Sequence, residues 1–104
     1  MAFVKVATVE GLKPGSVIEV NVDGNAYAIC NAEGQICALD GYCPHAGGPL
    51  GHGALHGHTL VCPWHAWEFD CRTGAFDFDP SVVVPVLPVR IEGGDILIDI
   101  TETS

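Results

Sequence analysis

Residues 18–39, IEVNVDGNAYAICNAEGQICAL, decide how this 104-residue chain folds. Ile18, Val20 and Val22 alternate with Glu19 and Asn21, the period-two pattern of a strand with one apolar face. Asp23-Gly24 then gives a two-residue hairpin turn. A second run, Ala26 to Cys30, leads to Glu33-Gly34, and Ile36 to Leu39 returns from it. Pairing across that turn sets 32 against 35, 31 against 36 and 30 against 37. Cys30 and Cys37 are therefore expected to face each other across two strands, as free thiols.

Working outward, the same grammar recurs near the C-terminus. Leu87, Val89 and Ile91 alternate, Gly93-Gly94-Asp95 turns, and Ile96, Ile98 and Ile100 alternate again. No segment holds a helical period for ten residues without a glycine or proline. The expected fold class is all-β, built from antiparallel hairpins. The length fits one domain spanning 1–104. Hydrophobic residues make up 48% and charged residues 16%, a globular composition. Four Lys and Arg stand against 13 Asp and Glu, so the formal charge is −9. Nucleic acid and anionic membrane would be repelled, and a partner with a basic patch is the natural match. Met1-Ala2-Phe3-Val4-Lys5 lacks the basic start and apolar run of a secretory signal. No stretch approaches the ~18 apolar residues of a membrane span. A cytoplasmic protein is expected, and five cysteines there point to metal or redox chemistry.

The middle of the chain departs from strand grammar. Gly41 to His58 holds six glycines, two prolines and four histidines, and no Asp, Glu, Lys or Arg lies between Asp40 and Glu68. A long irregular loop inside a compact domain is usually functional or disordered, and a Cys–His pair near its start with another just beyond its end argues for functional. It opens with Cys43-Pro44-His45 and is followed by Cys62-Pro63-Trp64-His65, so the pattern is C-x-H-x16-C-x2-H. Each half offers a soft thiolate and an imidazole from a turn stiffened by proline, and two such halves can hold a metal centre between them. Zinc is one candidate, although zinc fingers usually pair Cys with Cys and His with His.

With these residues in place, the chain resembles the Rieske iron–sulfur family, whose two loops read C-x-H and C-x2-H. The run Cys62 to Asp70, followed by Arg72-Thr73-Gly74, looks like the family's second cluster loop and the turn after it. Pro80 falls where the family has a third, proline-bearing loop over the cluster. The resemblance covers roughly residues 3 to 100 and implies an antiparallel β-sandwich with a two-loop cluster-binding subdomain at about 41–70. It also implies one [2Fe–2S] cluster per chain, with Cys43 and Cys62 on one iron and His45 and His65 on the other.

Departures from the family narrow the reading. Respiratory members carry an extra cysteine in each loop, joined as a disulfide; Gly48 and Trp64 occupy those positions here. The hydroxyl donors that respiratory members place after the second histidine are replaced by Trp67 and Phe69. Losing donors to sulfur lowers the potential, because they stabilise the reduced, more negative cluster. The pattern resembles the low-potential ferredoxins of bacterial ring-hydroxylating oxygenase systems, which serve aromatic hydrocarbon catabolism. By that resemblance the chain is an electron carrier without catalytic residues, taking electrons from a flavin-dependent reductase and delivering them to a terminal oxygenase. The small subunit of an NADH-dependent nitrite reductase, and a non-redox zinc or interaction module, are the alternatives. Elsewhere, His52, His56 and His58 are expected to be solvated rather than ligands, and Cys71 to be a spare thiol in a turn. Trp67 is expected in the core, while Trp64 fits packing or docking equally well.

Overall fold

Two left-handed turns organise the central sheet. Asp23 and Gly24 take φ of 51° and 83°, and Glu33 and Gly34 take 56° and 96°. Positive φ at both central residues matches the right-handed twist of the flanking strands, so each turn closes a tight hairpin. The computed structural model describes residues 2–44, 47–64 and 66–100. In it β2 (Val17–Val22), β3 (Asn25–Ala32) and β4 (Gln35–Asp40) run antiparallel, with β8 (Val86–Leu87) beside β4. The register is the expected one: Ala32 faces Gln35, Asn31 faces Ile36, and Cys30 faces Cys37. Both thiols are free and buried.

Residues 26–32 of β3 are buried throughout, because β3 is covered on both faces. Tyr27 and Ile29 point one way, into a core with Ala38, Leu87, Ile96 and Ile98. Ala28, Cys30 and Ala32 point the other way, into a core with Leu55, Leu60 and Phe69. The first core is closed by β1 (Phe3–Thr8), β10 (Asp95–Asp99) and β9 (Val89–Glu92), paired in that order. The second is closed by a small sheet of β5 (Ala54–His56), β6 (Thr59–Val61) and β7 (Glu68–Asp70). The molecule is thus three sheets deep, and the third carries the loops that the cysteine–histidine pattern singled out. One buried polar group ties the layers' edge together. Asn31 donates from Nδ2 to the Leu12 carbonyl at 2.7 Å and accepts the Gly34 N–H at 2.8 Å, leaving no cost of an unpaired buried amide.

Two readings of the sequence need correction. Leu87, Val89 and Ile91 do not share one strand. Pro88, which has no N–H to donate, separates β8 on the middle sheet from β9 on the outer one. Gly41 to His58 is also less irregular than its composition suggests. It contains a 3-10 turn at Leu50–His52 and all of β5. A three-residue strand is too short to show alternation, and Leu55 alone is buried in it.

Candidate metal centre

The two cysteines of the pattern sit at the bases of two similar closed loops. In the first, Tyr42 bridges to Pro49, the Cys43 N–H donates to the Gly48 carbonyl at 2.8 Å, and the Gly47 N–H donates back to Cys43 at 2.8 Å. In the second, Val61 pairs with Glu68 and the Cys62 N–H donates to the Trp67 carbonyl at 2.8 Å. Each loop is sealed by backbone bonds just below its tip, which fixes where the cysteine points without help from other side chains. Ala66 completes the second tip with φ of 57°, an uncommon value for a residue with a Cβ.

Cys43 and Cys62 are both buried, at 2% and 1% exposure. They meet: the Cys62 thiol is within hydrogen-bonding reach of Cys43, and its sulfur accepts the Trp64 N–H. Burial and the neighbouring thiol push Cys62 up, while the Trp64 N–H pulls it down. Gly48 lines the same point. A Cβ there would lie 2.9 Å from the Cys62 sulfur and 3.0 Å from Trp64 Cγ. The bare backbone of Gly48 therefore packs directly against the sulfur, and Gly48 and Trp64, the positions of the respiratory disulfide, face each other across the loops. Two soft thiols from separate loops, sequestered from water and met by a backbone N–H, suit an iron–sulfur group as half of its ligand set.

His45 and His65 lie outside the described residues. Among the described residues no group of three or more His, Cys, Asp or Glu is placed to hold a metal ion. His52 instead pairs with Glu19 at 3.2 Å. His56 ends β5, and the His58 carbonyl accepts the Cys71 N–H at 2.9 Å.

The aromatic residues after the second cysteine are structural. Trp67 stacks on Phe76 with centroids 3.9 Å apart and planes within 5°. Phe69 is fully buried beneath them. Neither side chain carries a hydroxyl, so neither reproduces the donors of the respiratory branch. Trp64 remains half exposed at the tip. Pro80 is exposed in the neighbouring 77–81 loop and shares a groove with Phe76 and Asp77.

Cys71 is not a spare turn thiol. It is fully buried and reaches both Cys30 and Cys37, so three cysteines fill the space between the middle and third sheets. The contact with Cys71, and then burial, push Cys37 far above the thiol range. Contact with Cys30 is the largest cause that brings Cys71 up to about 11. Such thiols stay protonated and serve as small hydrophobes. The sequence could not reveal this, because the contact joins a hairpin to a residue beyond β7.

Comparison with known proteins places the chain. It is 33% identical over 106 residues to the biphenyl dioxygenase ferredoxin subunit of Pseudomonas sp. (strain KKS102), covering 100% of this chain and 97% of that one. Its fold matches the ferredoxin of carbazole 1,9a-dioxygenase from Nocardioides aromaticivorans IC177 with a TM-score of 0.85. That match has 32% identity and covers 94% of this chain and 97% of the other. A chain from the complex of reduced oxygenase and oxidized ferredoxin in carbazole 1,9a-dioxygenase matches with a TM-score of 0.89. There the identity is 25%, over 98% of this chain and 96% of that one. Residues 2–88, which include both closed loops, match the Rieske [2Fe-2S] domain, and the chain belongs to that family.

Proposed function

We propose that the whole chain, 1–104, is one Rieske domain that works as an electron-transfer ferredoxin. Cys43, His45, Cys62 and His65 would hold its [2Fe–2S] cluster. The cluster, when bound, supplies one-electron redox chemistry. The chain's own part is to fix the two sulfurs at the sealed bases of their loops, to exclude water from them, and to aim the Trp64 N–H at Cys62. The observation that carries this reading is the meeting of Cys43 and Cys62 from two separately closed loops. The electron donor would be a flavin-dependent reductase and the acceptor a terminal oxygenase, in keeping with relatives named as ferredoxin components of dioxygenase systems. No helix among the described residues is long and apolar enough to cross a membrane. A cytoplasmic location accords with Cys30, Cys37 and Cys71 being buried together without a disulfide. Iron and acid-labile sulfide, about two of each per chain, together with a paramagnetic signal on reduction, test the reading. Colourless protein that takes up one zinc instead would refute it.

The potential follows from the donors around sulfur. With no side-chain hydroxyl at Trp67 or Phe69, and no disulfide between 48 and 64, a value near the low end of the Rieske range is expected, about −150 mV. Protein-film voltammetry reading well above zero would show that backbone donors such as the Trp64 N–H do the tuning.

Salt dependence follows from charge. Three of the four cationic residues, Lys5, Arg72 and Arg90, are already paired with Asp95, Asp70 and Glu92. The acidic excess is left to act at long range, while 41–67 contains no Asp, Glu, Lys or Arg. An uncharged contact face avoids desolvating ions, and the surrounding acids steer a basic partner. Stopped-flow electron transfer to the oxygenase should slow through association as salt rises to physiological strength. A rate indifferent to salt would remove the steering.

A further inference from the structure

Phe78 is the most exposed large apolar side chain among the described residues, at 86%. Its exposure is not that of a loose loop. The Phe76 N–H donates to the Val82 carbonyl at 2.9 Å, and the Val82 N–H donates to the Asp79 carbonyl at 2.9 Å. The Asp79 carboxylate accepts the Ser81 N–H at 3.1 Å and the Ser81 hydroxyl at 2.6 Å, which holds its pKa below the usual carboxylate value. The short 77–81 loop is thereby tied at its base and braced within, and it carries Phe78 outward on a fixed frame.

The ring is also joined to the metal centre. Phe78 meets Phe76 edge-on at 5.8 Å, Phe76 stacks on Trp67, and the Trp67 carbonyl holds the Cys62 N–H. Beside this ladder runs a groove of about 250 Å³, lined by Glu68, Asp70, Thr73, Phe76, Asp77 and Pro80. Asp70 is taken by Arg72, whose Nε and Nη2 donate to its two oxygens at 3.1 and 3.0 Å. Glu68 and Asp77 form no ion pair among the described residues. An apolar knob and an acid-lined groove thus lie side by side, continuous with the second cysteine loop.

We propose that Phe78 is the docking anchor for the terminal oxygenase. It enters an apolar socket on that partner, whose rim of Lys or Arg reaches into the groove toward Glu68 and Asp77. The proposal rests on the electron-carrier reading above and adds the contact that positions the acceptor. A rigidly held aromatic loses little freedom on binding, which is why such residues dominate interface energetics. A second copy of this chain would set the same carboxylates against themselves, and an anionic lipid surface would be repelled. Continuity with the Cys62 loop favours an electron-transfer partner, because the ladder from Phe78 through Phe76 and Trp67 ends at that loop. The matched carbazole dioxygenase structure is itself an oxygenase–ferredoxin complex.

The test uses cluster-loaded, reduced protein against purified terminal oxygenases of a biphenyl and a naphthalene dioxygenase system. With Phe78→Ala, the ferredoxin concentration for half-maximal oxygenase reduction should rise about ten-fold or more, in the range of an interface hot spot. Absorption spectrum and midpoint potential should match wild type, and Phe78→Leu should recover most of the loss. Glu68→Gln with Asp77→Asn should flatten the salt dependence. Unchanged half-saturation for Phe78→Ala overturns the anchor. A shifted potential overturns it as well, by making Phe78 part of the cluster's support. Wild-type protein that reduces neither oxygenase removes the carrier reading, a failure separate from that of the anchor.

Discussion

Cys62→Ala yields a colourless chain with iron at background, while Cys71→Ala keeps its colour. Both residues are buried cysteines, at 1% and 0% exposure, so burial alone does not distinguish them. Their surroundings do. Cys62 stands at the sealed base of a loop, in reach of Cys43 and met by a backbone N–H. Removing it takes away one of the two thiolates proposed for one iron, and no other described cysteine is positioned to replace it. Cys71 contacts Cys30 and Cys37 and lies at the other end of the β6–β7 pair from Cys62. Alanine there removes only a sulfur's worth of packing, roughly 1–3 kcal/mol of stability, without touching a ligand. Iron analysis and visible absorption after identical reconstitution decide the matter. Colour retained by Cys62→Ala, or lost by a folded Cys71→Ala, would break the ligand assignment. His65→Ala should behave like Cys62→Ala.

The contrast between these two cysteines also shows what a sequence can disclose. Cys43 and Cys62 were legible because each carries its own local chemistry, a following proline and a histidine at fixed spacing. Two loops with the same grammar imply a shared centre even before their meeting is seen. The β2–β3–β4 hairpins were legible for a similar reason. Asp23-Gly24 and Glu33-Gly34 supply the positive φ the turns require, and strand alternation then sets Cys30 opposite Cys37. What was not legible depends on packing between layers. β5, β6 and β7 have three residues each, too few for a pattern, and they exist because Leu55, Leu60 and Phe69 cover β3. Cys71 looked spare because nothing near it in sequence shows that β7 delivers it onto the Cys30–Cys37 pair. Phe78 was equally hidden. Its neighbours suggest an acidic turn, and only the bonds across 76–82 show that the ring is held outward.

The turn after β7 gives the largest expected loss of stability from adding a single methyl group. Gly74 has φ of +78°, and a Cβ built on it would lie 2.0 Å from the Val84 carbonyl oxygen. Its N–H donates to the Asp70 carbonyl at 2.6 Å and its own carbonyl accepts the Val84 N–H at 2.9 Å. Val84 is fully buried in the core beneath the cysteine loops. Gly74→Ala therefore meets two penalties. The left-handed backbone costs about 1–2 kcal/mol for a residue with a Cβ. Forcing Val84 away costs about 1–3 kcal/mol more, since backbone rather than a flexible side chain must move. The sum is a large share of the ~5–15 kcal/mol that holds a domain together. Gly94→Ala is the control, because Gly94 has φ of +87° but nothing within 4 Å of its added Cβ. It should show the backbone penalty alone. Urea unfolding of the two variants should give lower midpoints with similar slopes, and Gly74→Ala should fall well below Gly94→Ala. Equal midpoints would mean that the backbone around Val84 yields freely. In that case the 70–84 segment is not the rigid support that holds Phe76 against Trp67 and, through it, the second cysteine loop.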